Sequence, residues 1–380
     1  MNKGLIALAC GTFALGIAEF TMMGVLGDVS AGLDISVSKA GHLISAYALG
    51  VCAGAPSLLW LRGLPLRRLL LLLVSFIVLG NALAALSQGF VMLLCARFIS
   101  GLPHGAYFGA AAIVAQKLVP PGKGASAVAA MIAGMTVANL LGVPAATFIS
   151  NLISWRYAFA IVAVSGLLTW ILVRAWVPRL APLPATNFKA QFRFLKDRAP
   201  WLIFLGTFFG QGSVYCWFSY VEPAMTGITG FSPASMTWVM MLAGLGMVVG
   251  NYVNGRLSDR YKAGKVAALT AASIIVILPL IFFCAQWKAA SLLLMFLATA
   301  ALFGIGGPLQ YLIVRFAKGG EMLGGACIQI AFNVSNAIAS FLGGTAIHLG
   351  FGLESPALVG IPLAVTATVI LFSFTRRYNA

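Results

Sequence analysis

The sequence predicts an all-α membrane protein with twelve transmembrane helices in two six-helix bundles. The first observation is composition, since 61% of the 380 residues are hydrophobic and only 8% are charged. Such a chain has too few charges to cover a soluble globule of its length. The second is the recurrence of nearly uncharged runs of about 20 residues, the length that crosses a bilayer as a helix.

Twelve such runs can be counted, separated by short loops. The predicted spans are residues 4–27, 40–61, 69–88, 90–115, 125–149, 157–177, 200–222, 234–255, 266–286, 289–312, 322–347 and 357–375. The longest polar interruption, "RLAPLPATNFKAQFRFLKDRAP" at 179–200, lies between the sixth and seventh runs. The predicted domains are therefore an N-terminal six-helix bundle (1–178), a cytoplasmic linker (179–199) and a C-terminal six-helix bundle (200–380).

The placement of the basic residues predicts the orientation of these spans. The net charge of +16 is by itself compatible with a nucleic-acid partner. However, 20 of the 24 Lys and Arg residues fall at the termini and in alternate loops, on one side of the predicted membrane. Only Lys39, Arg156 and Lys288 fall on the other side, and Arg97 lies within a span. The positive-inside rule then predicts both termini in the cytoplasm, with the lipid bilayer as partner and no nucleic acid.

One carboxylate lies deep in the first predicted span. In "LGIAEFTMMG", residues 15–24, Glu19 is the acid of a run that is otherwise uncharged from Gly4 to Gly27. At 1.5 Å per residue it lies about 22 Å from Gly4 and about 13 Å short of Asp28, beyond the reach of snorkelling. A carboxyl group there either pairs permanently with a cation or is protonated for part of a cycle, as proton coupling requires.

A matching cation and an imidazole occur in the fourth predicted span. Arg97 lies about 10 Å below the outer end, at a depth similar to that of Glu19, and is its predicted partner. His104 lies seven residues further on, about 20° around the helix from Arg97. Its imidazole could relay protons or hydrogen-bond a solute, and a structural hydrogen bond is the alternative.

Uncharged polar residues mark other spans. Gln329, Asn333 and Asn336 follow spacings of four and three, so they share one face of a helix. A row of polar groups would be costly against lipid, so this face lines a cavity or meets another helix. Amide groups of this kind suit hydroxyl-rich or heteroaromatic solutes, and interhelical hydrogen bonding is the alternative. Further candidates for substrate binding are Gln211, Tyr215, Gln310 and Asn139.

Several stretches together resemble one transporter family. The loop "GRLSDRYKAGK" (255–265), between spans 8 and 9, carries Gly255, Asp259 and Arg260 as a glycine followed by an acid and a base. Spans 4, 5, 6 and 11 contain or adjoin four further stretches, "RFISGLPHGAYFG", "GMTVANLLGVP", "SWRYAF" and "FNVSNAIASFLGG". Along most of the chain these stretches resemble the drug/proton antiporter branch of the major facilitator superfamily, in particular the arabinose-efflux-like bacterial permeases.

The resemblance implies a fold of two six-helix halves with a substrate site near the midplane. It also implies a multi-pass protein of the bacterial inner membrane that works as a monomer. Glu19 would be the coupling acid and Arg97 the arginine that tunes it. Gly255, Asp259 and Arg260 would form a latch that holds one conformation, and topological anchoring by positive charge is the alternative reading of that loop.

Residues and resemblance together predict a secondary active transporter that exports a small organic solute, such as a sugar, nucleoside or drug-like compound, in exchange for protons. Proton-coupled uptake and facilitated diffusion are alternatives within the same class. A membrane-embedded enzyme or a non-transporting sensor is the alternative of another class. Against it, the sequence has no HExxH, GxSxG or P-loop motif, and its six cysteines show no metal spacing. No cofactor, metal or enzymatic activity is therefore predicted.

Overall fold

The computed structural model describes residues 2–61, 63–120, 124–182, 192–318 and 320–379, and within them every regular element is a helix. The first half contains α1 (Lys3–Gly24), α2 (Leu26–Gly32), α3 (Val37–Gly54), α4 (Ser57–Leu61), α5 (Leu66–Ala85), α6 (Phe90–Gly101), α7 (Pro103–Lys117), α8 (Gly124–Val137), α9 (Val143–Leu152) and α10 (Trp155–Trp176). A five-residue π-helix, Ala138–Gly142, joins α8 to α9.

The second half is built in the same way. It contains α11 (Arg198–Phe218), α12 (Val221–Gly227), α13 (Met236–Arg260), α14 (Ala263–Cys284), α15 (Lys288–Gly304), α16 (Gly306–Phe316), α17 (Glu321–His348) and α18 (Ser355–Tyr378). Short 3-10 helices at Arg193–Lys196 and Pro233–Ser235 precede α11 and α13.

Ten helical segments of the described chain are long and apolar enough to cross a membrane. They coincide with ten of the predicted spans, and α3 and α11 coincide with the other two. These two helices carry polar groups, among them Lys39 and His42 in α3 and Gln211 in α11, which lower their mean hydropathy. The helices thus provide twelve spans, which confirms the predicted all-α membrane fold.

Several spans are broken near their middle. Leu102 separates α6 from α7, and Pro103 occupies the first turn of α7. Backbone N–H groups in a first turn have no acceptor within the helix, so the N–H that proline lacks costs no helical hydrogen bond. Pro144 follows the π-helix in the same way at the start of α9. Ile305, between Gly304 and Gly306, separates α15 from α16. Each predicted span here consists of two shorter helices.

The chain divides by packing into two compact units. The first comprises residues 1–34 and 46–185, and the second comprises residues 35–45 and 186–380. In the first unit, α1 packs against α8 and α10, and α5 packs against α10. In the second unit, α11 packs against α17 and α18, and α13 packs against α15. The helix α3 therefore contributes its beginning to the second unit and its remainder to the first.

The beginning of α3 is held in the second unit by serine hydroxyls. Ser38 Oγ donates to the carbonyl of Gly344 at 2.7 Å, and Ser45 Oγ donates to the carbonyl of Ala337 at 2.8 Å. The ring of His42 stacks on Phe341 at 5.7 Å between centroids. Hydroxyl groups that donate to backbone carbonyls are a common way for helices to associate in membranes.

Candidate functional site

Glu19 lies on α1 in the interior of the first unit. The side chain of Asn2 caps the helix by accepting from the amide of Gly4 at 2.9 Å. Further along, Thr12 Oγ1 donates to the carbonyl of Met131 in α8 at 2.6 Å, which fixes α1 against that helix. Only 1% of Glu19 is exposed, and neither carboxyl oxygen has a hydrogen-bond partner among the described residues. The carboxyl group is thus both buried and unsatisfied.

His104 lies opposite this carboxyl group. Its Nε2 atom is 3.9 Å from Glu19 Oε2, which is too long for a hydrogen bond but close enough for one to form after a shift of about 1 Å. The imidazole is in the first turn of α7, where it stacks on Phe108 at 5.2 Å between centroids with an interplanar angle of 17°. This stacking fixes the plane of the ring, so that one nitrogen faces Glu19.

The other ring nitrogen of His104 is hydrogen-bonded to a residue that sequence reasoning missed. Tyr47 Oη lies 2.9 Å from Nδ1 of His104 and 3.5 Å from the carbonyl oxygen of Leu15. The phenol belongs to α3 and is 1% exposed. A Cβ at Gly101 would overlap with the carbonyl oxygen of Tyr47, so only glycine allows α6 and α3 to meet this closely. A tyrosine in the middle of a span was the available signal, because a buried phenol hydroxyl needs a partner.

Arg97 completes the cluster from α6. Its Nη1 atom donates to the carbonyl of Ala18 at 2.7 Å, so the guanidinium bonds the backbone next to Glu19. The carboxyl oxygens of Glu19 accept no hydrogen bond from any described residue, and the predicted contact between the two side chains is therefore not a hydrogen-bonded ion pair. The guanidinium carbon lies 4.4 Å from the centroid of the Tyr47 ring and 5.6 Å from that of Phe159. Both distances are in the range of cation–π contacts.

In the second unit, α11 and α17 bring polar candidates together. Tyr215 is buried, and its ring meets Phe332, the neighbour of Asn333, edge to face at 5.5 Å. Asn333 is fully buried and donates through Nδ2 to the carbonyl of Gln329 at 3.0 Å. Its Oδ1 has no partner within the described chain. Asn336 Oδ1 accepts from Ser340 at 3.2 Å.

The remaining substrate candidates, Gln211, Gln310, Gln329 and Asn139, are divided between the two units. Gln211 Nε2 donates to the carbonyl of Leu302, close to the break between α15 and α16, at 3.2 Å. Gln310 and Gln329 are both half-buried. Asn139 is buried in the π-helix of the first unit, and its Oδ1 has no hydrogen-bond partner in the described part of the chain. Asn139 therefore belongs to the unit that carries Glu19, while the other amides belong to the second.

The predicted latch lies at the end of α13. Gly255 has open space around its Cα atom, and Arg260 is exposed with its guanidinium carbon 5.8 Å from the ring centroid of Tyr261. The side chain of Asp259 lies outside the described residues. The latch accordingly stays a prediction.

Comparison with known proteins decides the family. The model of the Major Facilitator Superfamily matches residues 8–321 and 203–379. The chain belongs to the major facilitator superfamily. It is 45% identical over 383 residues to AraJ of Escherichia coli (strain K12), covering 100% of this chain and 97% of that one. It is 33% identical over 378 residues to the inner membrane transport protein YdhP of Escherichia coli (strain K12), covering 99% and 97%.

A solved structure agrees at the level of the fold. The nucleoside transporter NupG superposes with a TM-score of 0.78 at 9% sequence identity, covering 98% of this chain and 99% of that one. Membership in the major facilitator superfamily makes the chain a multi-pass membrane transporter of small molecules and not an enzyme. We call the group formed by Glu19, Tyr47, Arg97 and His104 the α1 acid cluster.

Proposed function

We propose that this transporter exports a small organic solute in exchange for protons, with Glu19 as the group that binds the proton. The observation that carries the proposal is the burial of an unsatisfied carboxyl group beside a histidine in a helix whose apolar run carries no other charge. Such a group in a membrane interior is costly to keep and marks an ion or substrate pathway.

The charge of the α1 acid cluster changes when Glu19 takes a proton. With Glu19 ionised, its negative charge balances the positive charge of Arg97, whose guanidinium is held by Ala18 and the Tyr47 ring. With Glu19 protonated, the cluster carries a net positive charge in a region of low dielectric constant. A proton therefore changes the relative free energies of the transporter's conformations, which is what coupling requires.

The polar groups of the second unit favour binding of a solute that is uncharged and rich in hydrogen-bonding groups. Asn333 and Asn336 present amides on one face of α17, and Gln211 adds another from α11. These groups donate and accept without carrying charge. We infer that sugars, nucleosides and uncharged drug-like heterocycles are the classes to test. Substrate binding in the second unit would use Tyr215, Gln310 and Gln329 as further contacts. Asn139, which lies in the first unit, stays a separate prediction.

Close packing in the first unit supports export over leakage. Gly134 and Gly142, in the stretch "GMTVANLLGVP", lie against α1. A Cβ at Gly134 would overlap with the carbonyl oxygen of Ala9, and one at Gly142 would lie 2.6 Å from Ile17. Such contact brings α8 and the π-helix close to α1 at these two positions, and close packing of this kind opposes passive flow there. The name of YdhP and the charge bias support an inner-membrane location with both termini in the cytoplasm, and we propose a monomer.

Inverted membrane vesicles test this proposal. The vesicles are given a lumen more acidic than the medium, and radiolabelled L-arabinose, uridine or chloramphenicol is added outside, one probe for each solute class. We expect gradient-driven accumulation of at least one probe by the native chain. Glu19→Gln should abolish that accumulation while counterflow of the same probe continues, because glutamine keeps the size of glutamate but cannot exchange a proton. Glu19→Asp should retain part of the activity.

A matched control removes another acid from the same protein. Glu354 is half-buried at the start of α18 and lies outside the α1 acid cluster, so Glu354→Gln should accumulate the probe as the native chain does. Full accumulation by Glu19→Gln would contradict proton coupling at Glu19. Probe entry that follows the probe gradient alone, whatever the pH gradient, would favour facilitated diffusion. Proton-driven accumulation in right-side-out vesicles instead of inverted ones would favour uptake.

A further inference from the structure

Tyr47 contacts every other member of the α1 acid cluster except Glu19 itself. Its hydroxyl reaches His104 Nδ1 at 2.9 Å and the Leu15 carbonyl at 3.5 Å, and its ring lies under Arg97. Leu15 is one helical turn before Glu19 on α1. The phenol hydroxyl has a single proton, so it can donate to His104 or to Leu15 but not to both fully at once.

The hydrogen bonds of His104 depend on where its own proton lies. A neutral imidazole carries one proton, on either Nδ1 or Nε2, and the hydrogen bond made by one nitrogen decides which form is present. If the Tyr47 hydroxyl donates to Nδ1, the ring proton is on Nε2 and points towards Glu19. If the Tyr47 hydroxyl donates to Leu15, Nδ1 carries the ring proton, and Nε2 becomes an acceptor.

We propose that Tyr47 is a positioning residue that couples the tautomer of His104 to the protonation of Glu19. This inference rests on the proposed function, whose coupling acid is Glu19. When Glu19 is ionised, Nε2–H of His104 faces it as a donor and Tyr47 donates to Nδ1. When Glu19 is protonated, its O–H faces Nε2, the ring carries its proton on Nδ1 and donates to Tyr47, and the phenol proton turns to Leu15.

Between the two states the α1 acid cluster gains one proton. The Nε2–H bond of His104 breaks as its proton passes to the Glu19 carboxylate, and the Tyr47 hydroxyl proton forms the new Nδ1–H bond. A proton from water restores the phenol, so His104 and Tyr47 each hold one exchangeable proton before and after. The imidazole stays neutral in both states, so no second charge enters the cluster. Of the 3.9 Å between Nε2 and Oε2, about 1 Å must close before either hydrogen bond forms. The protonated state thereby places a new hydrogen bond between α3 and the Leu15 turn of α1.

Among the described residues, the groups that contact this relay come from five helices, and α8 and α9, which also pack on α1, carry no charged or titratable residue. Glu19 comes from α1, Tyr47 from α3, Arg97 from α6 and His104 from α7, and α10 supplies the uncharged ring of Phe159. Among these, Glu19 is the group whose charge changes in the scheme. Arg97 keeps its charge throughout and lies over the Tyr47 ring, which leaves the phenol hydroxyl able to turn.

Nitrogen NMR of the full chain in lipid vesicles, labelled with ¹⁵N-histidine, tests the inference without a transported solute. The chain has three histidines, and a His42→Asn, His348→Asn background leaves His104 as the labelled residue. The pH is varied while infrared absorption of the protonated carboxyl, assigned by its loss in Glu19→Gln, follows Glu19. We expect the ring to change from the Nε2–H form to the Nδ1–H form as the carboxyl band appears.

Tyr47→Phe removes the hydroxyl and keeps the ring under Arg97. Without an acceptor for Nδ1–H the ring should stay in the Nε2–H form across the whole pH range, so the change of tautomer should be lost. Tyr107→Phe is the matched control, because the Tyr107 hydroxyl is equally buried in the first unit but donates to the backbone carbonyl of Leu8 at 3.1 Å. That variant should show the change of the native chain.

Three outcomes would overturn the inference. One is a native ring that keeps the same tautomer while the Glu19 band titrates. Another is a ring that becomes doubly protonated instead of changing tautomer, and the third is an unaltered change in Tyr47→Phe. A chain with no titrating band that is lost in Glu19→Gln would instead contradict the proposed function, so the two failures are distinguishable.

Discussion

Arg97 donates a 2.7 Å hydrogen bond to the carbonyl of Ala18, the residue immediately before Glu19. The guanidinium is fully buried and lies over the ring of Tyr47 at 4.4 Å. It therefore holds α1, α3 and α6 together at the depth of the acid, while the Glu19 carboxyl accepts no hydrogen bond from the described part of the chain. A buried cation arranged in this way compensates the charge of Glu19 without locking the carboxyl group in a salt bridge.

This arrangement predicts that lysine cannot replace Arg97. An ammonium group reaches the Ala18 carbonyl only by giving up the planar contact with Tyr47, since it has no delocalised plane. We expect Arg97→Lys to lower gradient-driven accumulation in inverted vesicles about tenfold, because the contacts that are lost or weakened are together worth about 1–2 kcal/mol. The matched control is Arg156→Lys, because Arg156 also bonds a backbone carbonyl, that of Ser87, and lies over Trp155 at 4.3 Å. Equal losses in both variants would contradict a specific role for Arg97.

The unpartnered amide oxygen of Asn333 predicts a substrate contact. A buried acceptor that finds no partner in the described chain costs free energy that a solute donor can recover. We expect Asn333→Leu to raise the KM for the transported probe about five- to tenfold, corresponding to about 1 kcal/mol from one hydrogen bond. Folded yield should change little, because leucine has the same branching and the same number of side-chain heavy atoms as asparagine.

Asn81 provides the control for that experiment. Its Nδ2 donates to the carbonyl four residues earlier, Ile77, at 2.9 Å, and its Oδ1 has no partner in the described residues, as for Asn333. Asn81→Leu should leave the KM unchanged, since α5 carries no predicted substrate residue. If Asn333→Leu also left transport unchanged, the amide face of α17 would be a helix–helix contact.

The close contact at Gly134 predicts a loss of stability on substitution. A methyl group at this position would overlap with the carbonyl oxygen of Ala9 and lie close to Thr12, so Gly134→Ala must separate α8 from α1. We expect the free energy of unfolding to fall by about 1–3 kcal/mol, as for other overpacked interiors. Thermal unfolding in detergent measures it. Gly255→Ala, a helical position with open space around it, should show no loss, and a similar loss there would point to a general effect of alanine.

The charge bias predicts the topology. In a chain whose six cysteines have been replaced, single cysteines at Gly63 and Lys262 should react only with reagents that enter the cytoplasm. Ser232→Cys, in an exposed loop on the opposite predicted side, should react with an impermeant maleimide added to intact cells. Labelling of Gly63→Cys or Lys262→Cys by the same impermeant reagent would reverse the orientation.

The fold could be predicted from the sequence to a large extent because hydrocarbon imposes a length on each apolar run. The predicted spans 157–177 and 322–347 correspond to Trp155–Trp176 and Glu321–His348. The breaks at Leu102 and Ile305 were not predicted, although Pro103 and Gly304 stand beside them. Proline in a first helical turn and a glycine beside a helix end are compatible with a continuous apolar run, so hydropathy alone does not separate the two helices.

The site could be predicted only in part. Depth along a helix follows from residue number, which is why Glu19 and Arg97 could be assigned a similar depth from the sequence alone, and helical periodicity placed His104 on the same face as Arg97. The partners of each group depend on how neighbouring helices rotate, and the sequence carries no measure of that rotation. For this reason Tyr47 was missed, and the hydrogen bond of Arg97 to Ala18 in place of the Glu19 carboxyl was not expected.

The divided helix α3 has a consequence for cutting the protein into halves. Residues 35–45 pack with the second unit, where Ser38 and Ser45 bond the carbonyls of Gly344 and Ala337. A fragment that begins at residue 200 would leave those carbonyls, and the face of Phe341 that His42 covers, without the segment that shields them. A separately expressed C-terminal half should therefore bind a synthetic peptide of residues 35–45, and that peptide should compete with reassembly of the two fragments.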